Sequence, residues 1–198
     1  MRILLAGIVV IALTGCSRGT EKPAEQQDVA IKPSPSHTQV EISSSVASVA
    51  GVEWNVPENW HQQPPRSMRF ATYGIPAAQG DTEDGECAVF FFGAGQGGDV
   101  RSNIDRWIGQ FESNSDPQEA KKTVNGINVT TVSLSGTYLA PSGPMMQSQG
   151  KKQNYRLLGA IVEAPEGAVF FKATGPAATM SASEKDFDSL VSSIQLVK

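Results

Sequence analysis

The chain has 198 residues, one ordinary domain's worth plus short appendages, and with 39% hydrophobic and 18% charged residues it is not collagen-like, coiled-coil or wholly disordered. A formal charge of −4 excludes the clustered basic face that nucleic-acid phosphates require, so no nucleic-acid partner is expected. Two cysteines and two histidines are too few for a disulfide framework or a soft-metal cluster.

Met1-Arg2 is followed by a mostly apolar run over residues 3–13 and then by Thr14-Gly15-Cys16. One cation and a short apolar run are the first two regions of a secretory signal. As a helix the run rises only about 17 Å against a hydrocarbon core of about 30 Å, so it is expected to act as a signal and not to span. Leu13-Thr14-Gly15-Cys16 resembles the lipobox of bacterial lipoproteins. The resemblance implies a signal peptide over 1–15, cleavage before Cys16, and a diacylglyceryl (palmitate-type) group on the Cys16 sulfur, with membrane lipid as partner. A plain secretory signal with a chance cysteine is the alternative. Each buried methylene contributes about 0.8 kcal/mol and one chain holds only marginally, so two or three chains are needed for stable anchoring. Ser17 stands where an Asp would, by the same resemblance, favour the inner membrane, so the outer membrane of the envelope is expected. With Cys16 taken by lipid, Cys87 is left without an intramolecular partner.

Residues 16–50 carry Pro23, Pro33 and Pro35, many Ser, Glu and Gln, His37, and no aromatic residue. Such a segment buries too little apolar surface to offset its ordering entropy and reads as the lipid anchor and a flexible tether. The mildly apolar stretch 40–49 leaves a short first strand open.

From Gly51 the periodicities are those of a mixed α+β domain over 51–198. Val52, Trp54 and Val56 alternate, and Pro57 ends that strand before Trp60. Met68, Phe70, Thr72 and Gly74 mark a second strand. Residues 87–92 are apolar on both faces, as a central strand covered on both sides is. Val100, Ile104, Trp107, Ile108 and Phe111 recur at helical spacing, with Arg101, Asp105 and Arg106 turned outward. Asn125-Gly126 joins strands over 121–124 and 127–139 as a hairpin, and strands over 155–164 and 168–174 meet around Glu166-Gly167. Between them 140–154, rich in Pro, Gly, Ser and Gln, reads as a long loop. Ser183 and Asp186 form a capping-box pair ahead of Phe187, Leu190, Val191 and Ile194, a last amphipathic helix. Hairpins imply a mostly antiparallel sheet, and two striped helices must cover it, which predicts an α/β/α sandwich.

Trp54-x-Val56-Pro57-x-x-Trp60 with Pro65-Arg66, then Asn103-Ile104-Asp105-Arg106-Trp107-x-x-Gln110-Phe111, and the closing Gly175-Pro176 before the last helix, are similar to the PsbP-like sandwich. That family includes an extrinsic photosystem subunit, a nuclear import regulator and many bacterial lipoproteins. The resemblance implies the fold over 51–198 and brings no catalytic residue with it, since its members have unrelated partners.

Chemistry-bearing patterns are sparse. Gly93-Ala94-Gly95-Gln96-Gly97-Gly98 matches G-x-G-x-x-G between a strand and a helix, the spacing that brings a backbone against a pyrophosphate. The following hairpin replaces the parallel strand which that reading needs, so a tight turn with Gly at positive φ is the plainer expectation. His61 in a Pro-rich stretch and Cys87 within an apolar strand are poor partners for nucleophilic catalysis. Asp81, Glu83, Asp84 and Glu86 crowd one loop but break the EF-hand order at Gly85, so a solvated acidic loop is expected rather than a metal site. Met145-Met146 lies in the long loop without a nearby His or Cys, a contact surface before a copper site. Trp54, Trp60 and Trp107 are expected in the core, with Trp60 or Trp107 lining a groove.

These features point to a lipid-anchored envelope protein with no cofactor and no catalytic residue, an uncharacterised binding or support module. Low-specificity binding candidates are Gly93, Gly95, Gly98, Met145, Met146 and Trp60, with another envelope protein as partner. The alternatives are a small-ligand or metal carrier in the periplasm, or an enzyme without a recognisable motif.

Overall fold

The computed structural model describes residues 46–142 and 147–198. The signal peptide over 1–15, Cys16, the tether up to residue 45, and Met145 and Met146 lie outside the described residues.

The chain runs β1 (Val46–Val49), β2 (Val52–Asn55), β3 (His61–Gln62), β4 (Ala71–Ile75), β5 (Gly85–Phe91), α1 (Val100–Ile108), β6 (Phe111–Asn114), β7 (Gln118–Val124), β8 (Ile127–Ser142), β9 (Gln147–Ala164), β10 (Gly167–Pro176), α2 (Ala177–Ala182), α3 (Glu184–Ser193) and β11 (Gln195–Leu196). An eight-stranded sheet has the order β3-β4-β5-β10-β9-β8-β6, with β7 also paired to β8, and β1-β2-β11 form a small second sheet. The pairings are antiparallel throughout. Among the described residues no helix is long and apolar enough to cross a membrane.

Alternation along the central strands divides the core in two. Cys87 and Val89 on β5, with Val169, Phe171 and Ala173 on β10, face a cluster that includes Trp54, Phe187, Leu190 and Ile194. Phe170 on β10 and Leu157 and Ile161 on β9 face the opposite way, against Ile104 and Trp107 of α1. The small sheet and α3 therefore cover one face and α1 the other, which is the α/β/α arrangement of an α+β domain with a mostly antiparallel sheet.

Four local readings are corrected by the structure. The described fold starts at Val46, so residues 46–50 belong to the domain and not to the tether: Ala47 and Ala50 are core. Their hairpin turns through Ala50 (φ 57°) and Gly51 (φ 79°), a left-handed pair that Asn-Gly usually marks and Ala-Gly conceals. The first helix stops at Ile108, where the Gly109 N–H still reaches Asp105 O at 2.8 Å; Phe111 is buried as the first residue of β6, across from Tyr138. Residues 140–142 and 147–154, expected in a long loop, are strand: β8 and β9 continue pairing through Leu139–Lys151 to Ser142–Gln147. Backbone bonds hold that polar hairpin where side-chain periodicity gives no sign of it. Finally, Ser183 does not cap through its side chain. Helix α2 runs into α3, so the Ser183 and Phe187 amides already reach Thr179 O and Ser183 O at 3.0 Å, and Asp186 accepts instead from Asn59 Nδ2 at 3.0 Å.

The Trp107 ring packs closely against a glycine. A Cβ on Gly159 would fall 2.6 Å from the Trp107 ring and 2.9 Å from Val132. Gly159→Ala should therefore destabilise the fold by about 1–3 kcal/mol through overpacking. Trp107→Ala should cost about 3–5 kcal/mol, as expected for a ring that is only 4% exposed. Urea unfolding measures both, and an unchanged midpoint for either would show that the ring does not seat there.

Candidate functional site

Seven strands lie on the main path of the sheet, so six gaps of about 4.8 Å make a face roughly 29 Å wide. Helix α1 has nine residues and is about 14 Å long. It packs against Val132, Leu134, Leu157 and Ile161 on β8 and β9 and reaches Phe170 on β10, and a pocket remains beside it over β5 and β10.

Cross-strand register decides what the open part contains. Lys172 on β10 stands opposite Ala88 of β5 and Gly159 of β9, the two smallest kinds of neighbour available. On one side of that row Phe170 pairs with Phe90, and on the other Thr174 pairs with Glu86. Ala88 leaves room where a larger side chain would close the floor. The result is a pocket of about 400 Å³ over β5 and β10, walled by Phe90, Phe92, Phe170, Trp107 and Tyr138 and entered past Met68, Arg69 and Arg106. That is at the small end of the range for small-molecule sites.

The walls are ordered. The Phe90 and Phe92 rings stack at 6.0 Å with an interplanar angle of 17°. Arg69 lies over the Phe90 ring at 5.9 Å and donates to Glu86 Oε1 at 2.5 Å. Arg66 takes the other oxygen, Oε2, at 2.7 Å. On α1, Asn103 is 2% exposed and donates at 2.8 Å to both Gly97 O and Asp99 O. Its Oδ1 accepts from Arg106, which fixes the guanidinium at the pocket wall. Asp99 caps the helix by accepting from Ser102 N at 2.9 Å, and hydrogen bonds from Ser102 hold its carboxyl below the usual range.

Lys172 is the unusual group. Its ammonium donates to Gln110 Oε1 and, at 3.2 Å, to Tyr138 OH, and it lies 5.3 Å over the Tyr138 ring. Both acceptors are neutral. Burial, then repulsion from Arg69, pushes the amine down to about 7; attraction to Glu86 opposes this, and repulsion from Arg106 adds a smaller push downward. Burial also pushes the Tyr138 hydroxyl up to about 12, so it stays protonated at neutral pH.

At the mouth, Met68 is 77% exposed and has φ 64° within a turn closed by Arg69 N–H to Arg66 O at 3.3 Å. A left-handed conformation costs an L-residue roughly 1–2 kcal/mol. The turn thus holds an apolar side chain in water beside Phe92, itself 39% exposed.

The candidates read from sequence are scattered. Gly93, Gly95, Gly97 and Gly98 all have positive φ, as a tight strand-to-helix turn needs. Gly97 also lies where a Cβ would meet Phe92 at 2.8 Å, so that turn supports the pocket wall. Gly98 lines a broader cleft of about 1030 Å³ with Asp99, Arg101, Glu119 and Lys122. Arg101 is already paired there with Asp105 and Glu119, so the larger cleft has less to offer a ligand than the smaller pocket. Trp60 is 5% exposed and packs near Tyr73 on the opposite face, so it lines no part of this pocket. Trp107 does. The acidic loop disperses: Asp81 accepts from Thr179, Glu83 pairs with Lys152, Asp84 accepts from Ala77 N, and Glu86 serves the two arginines. Cys87 is wholly buried and burial pushes its thiol up, while His61 is exposed on a two-residue strand. Sequence reading missed Lys172 and Arg69, and it took Arg106 only as an outward helix residue and Glu86 only as part of the acidic loop. The usable signal was one lysine in the otherwise apolar run Val169-Phe170-Phe171-Lys172-Ala173.

No family model matches the chain, and no curated protein does. Among solved structures, the chain is similar to cyanobacterial PsbP (CyanoP) of Synechocystis sp. PCC 6803, with TM-score 0.50 and 12% identity over 84% of this chain and 100% of that one. A Pseudomonas aeruginosa protein of unknown function, PA94, gives TM-score 0.44 at 12% identity over 77% of this chain and 95% of that one. The first likeness shows a PsbP-like fold and says nothing of a site.

Lys172 sets a measurable pH dependence. An unfolded lysine titrates near 10.4 and the folded one near 7, so between these values the unfolded chain binds more protons and stability rises with pH. Below about pH 7 the folded state bears the whole cost of a buried ammonium. Lys172→Met should therefore melt higher than wild type at pH 6, and the gap should narrow between pH 7 and 10. A wild type that melts higher at pH 6 would show that the amine is well solvated.

Proposed function

We propose that this protein is a lipid-anchored, non-catalytic binding module of the bacterial cell envelope, with the pocket beside Trp107 as the seat of a small organic ligand. The anchor rests on Leu13-Thr14-Gly15-Cys16, and Ser17 favours the outer membrane. One observation carries the binding role: a pocket with stacked aromatic walls has, in its floor, an ammonium with only neutral acceptors. Buried charge is costly and is retained where something uses it.

A metal carrier is the weaker form of this reading, because the acidic side chains of 81–86 are each engaged elsewhere. A catalytic reading has little support, since Cys87 faces the core as a neutral thiol and His61 faces solvent. A second envelope protein is the alternative partner, and the broad cleft beside Gly98 is the place that favours it.

Three variants test the proposal. In a bacterial host the wild type should sediment with membranes, and Cys16→Ser should yield a soluble or uncleaved form; identical fractionation would remove the anchor. Titrating the protein with a panel of small organic molecules should quench tryptophan emission, and Trp107→Phe should abolish the response. A flat response to the whole panel counts against the small-ligand role. Met68→Gly should keep the melting temperature within a few degrees, because relieved strain offsets added chain entropy, while weakening every ligand that reaches the rim.

A further inference from the structure

We infer that the ligand of this pocket is an organic anion with a flat apolar ring body, its charged end on Lys172 and Arg106 and its ring against the Phe90–Phe92 stack. The inference rests on the pocket being a ligand site and adds the chemistry of what it takes.

Charge carries the first half. Arg69, Arg106 and Lys172 line the pocket with a single carboxylate, Glu86. That carboxylate is already spent on Arg66 and Arg69, at 2.7 and 2.5 Å. Among the described residues neither Arg106 nor Lys172 has a carboxylate within ion-pair distance; their acceptors are Asn103, Gln110 and Tyr138, all neutral. Cations crowded together in an apolar cavity repel one another, and in low dielectric the repulsion is far stronger than in water. An anion placed between them relieves it and forms charge-assisted hydrogen bonds with both.

Shape carries the second half. The cavity of about 400 Å³ is too small for a two-chain lipid or a folded partner. Its walls include rings, with Phe90 and Phe92 nearly parallel and Trp107 also in the lining. Flat rings stack on such walls with an added stabilisation of about 0.5–1.5 kcal/mol per pair. The exposed Met68 and Phe92 extend the apolar wall past the rim.

A proton accompanies the ligand. The groups facing the Lys172 ammonium are Arg69 from the 66–69 turn, Glu86 from β5, Arg106 from α1, Gln110, and Tyr138 from β8. Burial keeps the Tyr138 hydroxyl protonated at neutral pH, while it brings the titration of the Lys172 amine close to neutrality. An anion bound at pH 8 should draw a proton onto it.

Naphthalene-2-carboxylate and its uncharged isostere naphthalene-2-carboxamide are the probes, titrated calorimetrically into the full chain held in zwitterionic nanodiscs. The carboxylate is expected to bind at least tenfold more tightly than the amide at pH 6, with the ratio shrinking towards pH 9. At pH 8, titrations in two buffers of different ionisation enthalpy should show proton uptake for the carboxylate alone. Lys172→Met should remove the preference and the proton uptake yet still bind the amide, and Ala88→Leu should block both probes by filling the floor. Equal affinities for the two probes, or an unchanged preference in Lys172→Met, would overturn the anion assignment while leaving the pocket a ligand site. If neither probe binds the wild type, both the assignment and the pocket's role as a ligand site fail together.

Discussion

A charged side chain in the middle of a central strand, facing a pocket on one side of the sheet, dictates the arrangement around it. Lys172 sits mid-strand in β10, between β5 and β9, with its neighbours on both strands reduced to Ala88 and Gly159. Gly159 lets the Trp107 ring settle on the sheet, and Ala88 leaves the gap into which the ammonium reaches. From those two small residues follow the position of α1, the aromatic walls and the shape of the opening. Interiors are close-packed, so a cavity of this size persists only where the surrounding side chains cannot collapse into it. Here they are held: Phe90 by Phe92 and Arg69, Arg106 by Asn103, and Tyr138 by Phe111 and Tyr155.

The fold was more legible in the sequence than the site, for a physical reason. Strand and helix positions follow from periodicity, which Val52, Trp54 and the Ile104–Trp107 stripe display within a few residues. Turn chemistry is equally local when it uses Asn125-Gly126 and hidden when it uses Ala50-Gly51. The extension of β8 and β9 past residue 139 had no apolar alternation to announce it, because it is held by the ladder between backbones. The pocket depends on register: Lys172, Ala88, Glu86 and Arg106 are far apart in the chain, and only strand pairing brings them into one cavity. A lone lysine in an apolar run was visible, but its neighbours across the sheet were not.

The likeness to cyanobacterial PsbP accounts for the layers and leaves the cavity unexplained, as expected when 12% identity preserves a packing pattern and little else. The scaffold supplies a wide sheet with a short covering helix. What this chain adds is a choice of side chains at positions which that helix fails to cover. The pocket on such a scaffold is a local matter, shaped by a handful of residues on β5, β10 and α1.

Cys87 has a practical use. It is the free cysteine among the described residues, and it sits wholly buried on β5 in the middle of the large sheet. Thiol reagents reach it only when neighbouring strands part, so its rate of labelling under native conditions counts the openings of the sheet's centre. The molecule thus has a built-in clock for its own breathing, readable without any engineered label.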